Sequence, residues 1–294
     1  MSNLVLGIIE NVGRKYVEPF ITSLRAAGYK DEIVLFGKNV GPKAKKLLTY
    51  HKVRLIQYNA IRLSQIKRYN LRSLFVKLYG TFFCDKILPL RDTVVKLLWL
   101  CNVSRYYFYD DFLRKASAKY KMILMCDVRD TIFQQYPFPE KMESDIYCFE
   151  EYLGFKISDR VYSRKWVIDH YGKEILRKLS DKSIICSGVI LGTHDGCLRF
   201  LRAMKSYLWK QHHHWVSDQT VLNYLIYMNY LTGVKVIPFG EGPVMHIGSA
   251  PRNKINIRTD GKVLCNDGTV CPVIHQYDWH PDIKANVLKL YSSL

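Results

Sequence analysis

Short apolar runs alternating with helical stretches predict an α/β protein, with a mostly parallel central sheet and helices on both faces. Two observations carry that reading. Runs at 4–9, 33–36, 122–126, 145–149, 183–191, 234–238 and 272–277 are aliphatic and β-branched, which suits buried strands. Between them lie helical periodicities and helix-end residues. Size agrees: 294 residues, 48% apolar and 24% charged, can bury one large core. The chain therefore reads as one domain over 1–294.

The elements follow in order. The run at 4–9 opens the sheet. A helix is expected from Pro19, a favoured first-turn residue, to Gly28, a favoured stop. Residues 38–99 lack a clear period and read as a basic, helical excursion. A helix from Arg105 to about Tyr120 sets Phe108, Phe112 and Ala116 at four-residue spacing. Another opens at Ser217 as its N-cap and turns Val221, Leu222, Leu225 and Ile226 inward. The chain has no internal repeat, low-complexity tract or Gly/Pro/Ser-rich linker.

Composition excludes several classes. No apolar run reaches the ~18–20 residues of a membrane span, and the best candidate, 94–103, contains Lys96. The stretch 4–9 is too short for a signal peptide and follows no basic segment. A soluble, cytoplasmic protein is expected. Of the eight cysteines, Cys126, Cys148 and Cys186 sit inside apolar runs and read as core thiols. The net charge of +18 is uneven. Residues 38–96 hold 14 basic and 2 acidic residues, while 126–294 hold 21 and 18. That asymmetry asks for an anionic partner, whether nucleic acid, a membrane surface or a phosphorylated substrate, or else serves solubility as a solvated face.

In such a sheet, ligands sit beyond the C-terminal strand ends. The residues leaving the runs are therefore the candidates. The sharpest group is Asp127-Val-Arg-Asp130, where a strand runs straight into two carboxylates. Three extended residues span ~10 Å, so both reach one cation only if the chain turns just after Asp127. Carboxylate oxygens suit Mg²⁺ or Mn²⁺. The same residues also fit a strand-end turn with Arg129 paired to Asp127. Ser187-Gly188 places a glycine inside a strand, which permits close approach of a ligand or backbone, or a β-bulge. Asp218 lies in the first turn of its helix, which favours the anion, and faces a cleft in this reading. His275 ends a strand. Cys265, Cys271 and His275 raise zinc only faintly, without a paired Cys-x-x-Cys. There is no G-x-G-x-x-G after a strand, no P-loop and no G-x-S-x-G elbow.

Together these features resemble the GT-A fold of nucleotide-diphosphosugar glycosyltransferases. The chain from Asp127-Val-Arg-Asp130 through Thr-Ile-Phe-Gln-Gln-Tyr-Pro-Phe138 stands where that fold has its Asp-x-Asp strand end. Trp166 through His170-Tyr-Gly172 to Ser187-Gly188, then Asp218-Gln219 and His275-Gln-Tyr-Asp278, extend the similarity. It is nearest to members from large algal (chlorella) viruses and some bacteria and plants. It covers about residues 100–290. The acidic pair departs from the pattern, being spaced Asp-x-x-Asp.

The resemblance implies transfer of a sugar from a nucleotide diphosphate to a hydroxyl of a glycan or glycoprotein. It implies a divalent cation, Mn²⁺ or Mg²⁺, on Asp127, Asp130 and His275, with His246 as second choice for the histidine. Asn11 is the candidate for the nucleotide base, and Arg105 for the diphosphate or sugar. The Ser187-Gly188 backbone would line the donor sugar. Asp218 is the candidate general base, with Glu150 and Glu151 as rivals. By analogy with the viral members, the donor is a UDP-sugar such as UDP-xylose, the reaction inverts, and the location is the host cytoplasm. Two other classes stay open on the residues alone. One is a basic nucleic-acid-binding protein or metal-dependent nuclease using 38–96 on phosphates. The other is a non-catalytic carbohydrate-binding protein.

Overall fold

The structure is a computed structural model describing residues 1–61, 65–82, 88–210 and 217–292; the side chains of 65–69, 80–82 and 217 are not among those described. The first half of the chain forms β1 (Leu4–Glu10), α1 (Arg14–Ala26), β2 (Glu32–Lys38), α2 (Pro42–Tyr50), β3 (Arg54–Gln57), α3 (Gln65–Phe82), α4 (Leu88–Leu98), α5 (Cys101–Arg114) and β4 (Met122–Asp127). It continues with β5 (Thr131–Phe133), β6 (Ile146–Glu150), α6 (Val161–Leu179), β7 (Ile185–Thr193), α7 (His194–Leu208) and α8 (Ser217–Tyr227). The last elements are β8 (Val234–Ile237), β9 (Val244–His246), β10 (Val273–His275) and α9 (Pro281–Tyr291).

Seven strands form a central sheet in the order β3-β2-β1-β4-β7-β6-β8. All neighbours are parallel except β7, which runs antiparallel to both β4 and β6. The alternation of side chains buries both faces. Leu6, Ile8, Phe36, Ile123 and Met125 point into one cluster with Val103, Tyr107, Phe200 and Leu222 from α5, α7 and α8. Val5, Ile9, Leu35 and Leu124 point the other way, onto Phe20, Leu24, Ala44 and Leu48 of α1 and α2. Strand order reverses between β1 and β4, so their C-terminal ends flank a crevice of the kind that binds ligands in open α/β sheets. A second sheet, β5-β10-β9, packs at that same end.

Several boundaries differ from the sequence reading. α1 starts at Arg14 rather than Pro19, because Asn11 turns the chain at φ 55° directly after β1. Pro19 then lies inside the helix, while Gly28 does stand past its end at φ 85°. The basic stretch is not simply helical. It ends β2, forms α2, and supplies β3 to the central sheet before α3 and α4. β3 is four residues long and half exposed at the sheet edge, too short and polar to announce itself. α5 begins at Cys101 and stops at Arg114, so Arg105 sits in its second turn and does not open it. The N-cap role of the Ser217 side chain lies outside the described residues. The seven described cysteines are all free.

Candidate active site

Asp127 closes β4 and the chain turns at once through Val128-Arg129 into Asp130, which precedes β5. β5 pairs antiparallel with β10, setting Thr131 opposite His275. This small sheet brings the imidazole back over the turn. His275 Nε2 lies 3.6 Å from Asp127 Oδ2 and 3.5 Å from Asp130 Oδ1. Those separations are too long for good hydrogen bonds, and the buried nitrogen makes none. One ligand atom from each of the three residues lies within 4.8 Å of the others. Two carboxylate oxygens and one imidazole nitrogen, gathered around an unsatisfied nitrogen, suit a Mn²⁺- or Mg²⁺-like cation. Burial works against the charge on His275, but Asp130, Cys186 and Asp127 outweigh it and raise its pKa well above the usual value. Burial also opposes ionisation of Asp127; Arg105 and His275 prevail and hold its carboxyl low.

His246 takes a different place from the second-choice ligand. β9 lies parallel to β10 with His246 level with His275, and the two Nδ1 atoms are 2.8 Å apart. His246 thus sits behind His275, on the nitrogen that faces away from the carboxylates. Burial first, and then the neighbouring His275, push its pKa well below the usual value, so it is neutral. Cys186 Sγ approaches the same Nδ1 at 3.7 Å. No sequence signal pointed to that thiol beyond its apolar run.

Gly188 answers a close approach, but the approaching group is His275. A Cβ there would fall 2.2 Å from His275 Cε1. Strand pairing explains how. β6 sets Tyr147 against Leu191 yet Phe149 against Cys186, so β7 bulges over 187–190. The bulge gives the imidazole its slot and frees Ser187 for other partners.

Those partners centre on Arg105. Its guanidinium donates to Asp127 Oδ1, to Asp218 Oδ2 at 2.6 Å and to the Ser187 carbonyl at 2.9 Å. It is 4% exposed, so its donors are spent inside the protein, not offered to a diphosphate or sugar. Asp218 is equally enclosed at 3% exposure. Ser187 Oγ donates to it at 3.1 Å and Asn102 Nδ2 stands at 3.4 Å. The helix start therefore does not open Asp218 to a cleft: α5 covers it. Burial pushes its carboxyl up, and Arg105 pulls the other way.

Glu151 follows β6 and accepts a hydrogen bond from Gln219 Nε2 at 3.2 Å, which ties it to the first turn of α8. Burial raises its carboxyl above the usual range; half-buried Glu150 is raised for the same reason. Asn11 lies beyond β1, exposed, with Asn39 Nδ2 donating to its Oδ1 at 2.7 Å. Cys265 and Cys271 are not in the group around His275. Their thiols lie near the carbonyls of Gly242 and Val273, which removes the zinc reading.

No protein-family model matches the sequence, and no curated protein matches it. Solved structures do. A galactosyltransferase, LgtC, in complex with donor and acceptor sugar analogues aligns over 99% of this chain and 97% of its own, with TM-score 0.51 and 12% identity. An active-site mutant of LgtC aligns over the same shares with TM-score 0.52 and 13% identity. This is the GT-A fold. WbbM, a bifunctional glycosyltransferase in its apo form, aligns over 97% of this chain and 49% of its own, with TM-score 0.50 and 12% identity. In the GT-A frame of this chain, the Asp127 turn stands at the end of the strand beside the point where sheet order reverses.

Proposed function

We propose that the chain is a metal-dependent glycosyltransferase that moves a sugar from a nucleotide diphosphate, a UDP-sugar such as UDP-xylose, to a glycan hydroxyl. The single observation that carries this is the convergence of Asp127, Asp130 and His275 at the crevice end of a GT-A sheet. Those three residues would hold Mn²⁺ or Mg²⁺. The cation supplies Lewis-acid neutralisation of the departing diphosphate. Asn11, at the end of β1, is assigned to the nucleotide base.

Arg105 acts from beneath. It fixes the Asp127 carboxylate while Asp218 holds Arg105, so both are positioning residues in this reading. His246 accepts the Nδ1 proton of His275 and leaves Nε2 turned to the carboxylates, as partners behind a ligand histidine do. An inverting transfer needs a carboxylate to take the acceptor proton. Asp218 is committed to the Arg105 ion pair and Ser187, whereas Glu151, also buried, accepts from the neutral Gln219 amide and carries a raised carboxyl, so Glu151 is the carboxylate assigned to this role. We read 1–294 as one catalytic unit.

The test is a panel of nucleotide sugars with Mn²⁺ or Mg²⁺, followed by donor hydrolysis and thermal shift. A UDP-sugar should be hydrolysed and should raise Tm only with the cation present. Hydrolysis unchanged in excess EDTA overturns the metal role, and silence across the panel overturns the reading.

A further inference from the structure

Residues 151–184 leave the central sheet after β6 and return to it at β7. β6 runs the same way as β4, because both are antiparallel to β7. Glu150 and Asp127 therefore end at the same end of the sheet, two strand spacings or ~10 Å apart. The excursion stands beside the Asp127 turn. Its two arms stay paired: the Glu151 N–H donates to the Ile184 carbonyl at 2.8 Å, Ile157 to Lys182 at 3.0 Å and Ser158 to Ser180 at 3.2 Å. Ile157, Val167, Leu179 and Ile184 close a small core of their own between them. The excursion is a fixed wall at the crevice end of the sheet.

That wall carries aromatic surface with no part in the cation site. Tyr162 and Trp166 lie four residues apart on α6, and their rings stack with centroids 6.0 Å apart at 30°. Tyr162 is 71% exposed. Trp166 is half-buried, and with Ile157 and Ser163 it lines a narrow cleft against Gln219 at the start of α8. Gln219 in turn donates to Glu151 at 3.2 Å. One side chain thus lies between the aromatic stack and the carboxylate assigned as base. The chemistry of this surface selects its occupant. A sugar ring shows C–H groups on a face and hydroxyls around its edge. The flat ring of Tyr162 suits the first, and the Ser163 hydroxyl and Gln219 amide suit the second. A protein partner needs ~800 Å² a side, far more than one stacked pair offers.

We infer that Tyr162 and Trp166 stack on a sugar unit of the acceptor glycan, next to the unit whose hydroxyl faces Glu151. This rests on the transferase reading and names where its second substrate lies. The probes are cellobiose, chitobiose, lactose and xylobiose, titrated into the whole chain without donor or cation. Binding is followed by saturation transfer from the aromatic protons of the protein. At least one disaccharide should bind, with transfer strongest to the C–H protons of one ring face. Tyr162→Ala should weaken that binding about fivefold, the scale of one aromatic stacking contact, with Tm retained because the ring is exposed. Tyr162→Phe keeps the ring and should bind as the parent does. Binding of none of these probes, binding unchanged in Tyr162→Ala, or an equal loss in Tyr162→Phe would each overturn the inference. Donor hydrolysis needs no acceptor and is scored separately on the parent. A parent that hydrolyses the donor but binds no disaccharide keeps the transferase reading and loses this one. A parent that binds through Tyr162 but is silent across the nucleotide sugars keeps the stacking surface and loses the transferase.

Discussion

Arg105 holds two carboxylates on one guanidinium, and the two bonds differ in what they are worth. Asp127 keeps 39% of its side chain in solvent, so water already screens that pair. Asp218 is enclosed, and without Arg105 it would keep only neutral donors among the described residues: Ser187, Asn102 and the Gln219 backbone N–H. Arg105→Ala should therefore destabilise by ~3–5 kcal/mol, the usual cost of leaving one buried partner behind. Urea unfolding measures it, and a loss under ~1 kcal/mol would contradict this account of the pair. Glu151→Gln keeps the size and the bond from Gln219 but cannot accept a proton. Transfer should fall by ~10²–10⁴ with donor affinity kept. The base must be ionised, so activity is lost as pH drops through its raised pKa, and the acid limb of kcat/KM should sit above the ordinary carboxylate range. A limb unmoved in Glu151→Gln would give the role to another group. The sequence marks Asp127 and His275 because each ends a run, and Asp130 because it follows Asp127 at three residues. It does not mark the enclosure of Asp218, since its partner lies 113 positions away on α5.

At the scale of elements, the site depends on a bulge and a sheet of three-residue strands. β7 carries the bulge that makes room for His275, and β9 and β10 hold the two histidines level. Strands this short bury too few residues to show a period, which is why β5 and β9 could not be read from the sequence. The long parallel strands could be, because both of their faces are apolar. A side chain at Gly188 tests the arrangement directly. Gly188→Ala places a methyl where His275 Cε1 stands, so the imidazole must shift away from Asp127 and Asp130. Mn²⁺ affinity should drop by ~10–100-fold, the scale found when a ligand loses its positioning. Manganese resonance or calorimetry reads this without turnover. Unchanged affinity would mean that His275 is not a ligand. His246→Ala should act in the same direction through the other nitrogen, with the carboxylates untouched.

For the whole molecule, the order β3-β2-β1-β4 places the donor that the proposed function requires. β1 leads into α1 and β4 turns into β5, and the crevice between their ends has Asn11 on one side and the Asp127 turn on the other. Asn11 is three residues beyond the position level with Asp127, which is ~10 Å of extended chain. A nucleotide diphosphate spans that distance when its base is at β1 and its phosphates are at the cation. Cation and nucleotide should then bind as one unit. A ligand that binds only the folded state stabilises it by ~2.7 kcal/mol at a hundred times its Kd. Mn²⁺ and UDP together should therefore raise Tm by several degrees, and each alone by much less. Asp130→Ala should remove the joint effect and leave the Tm of the free protein nearly unchanged, because Asp130 is partly solvent-exposed and, among the described residues, its carboxylate makes no contact closer than the 3.5 Å to His275. A UDP shift that survives in Asp130→Ala, or in EDTA, would separate the nucleotide from the carboxylates and move the donor out of this crevice.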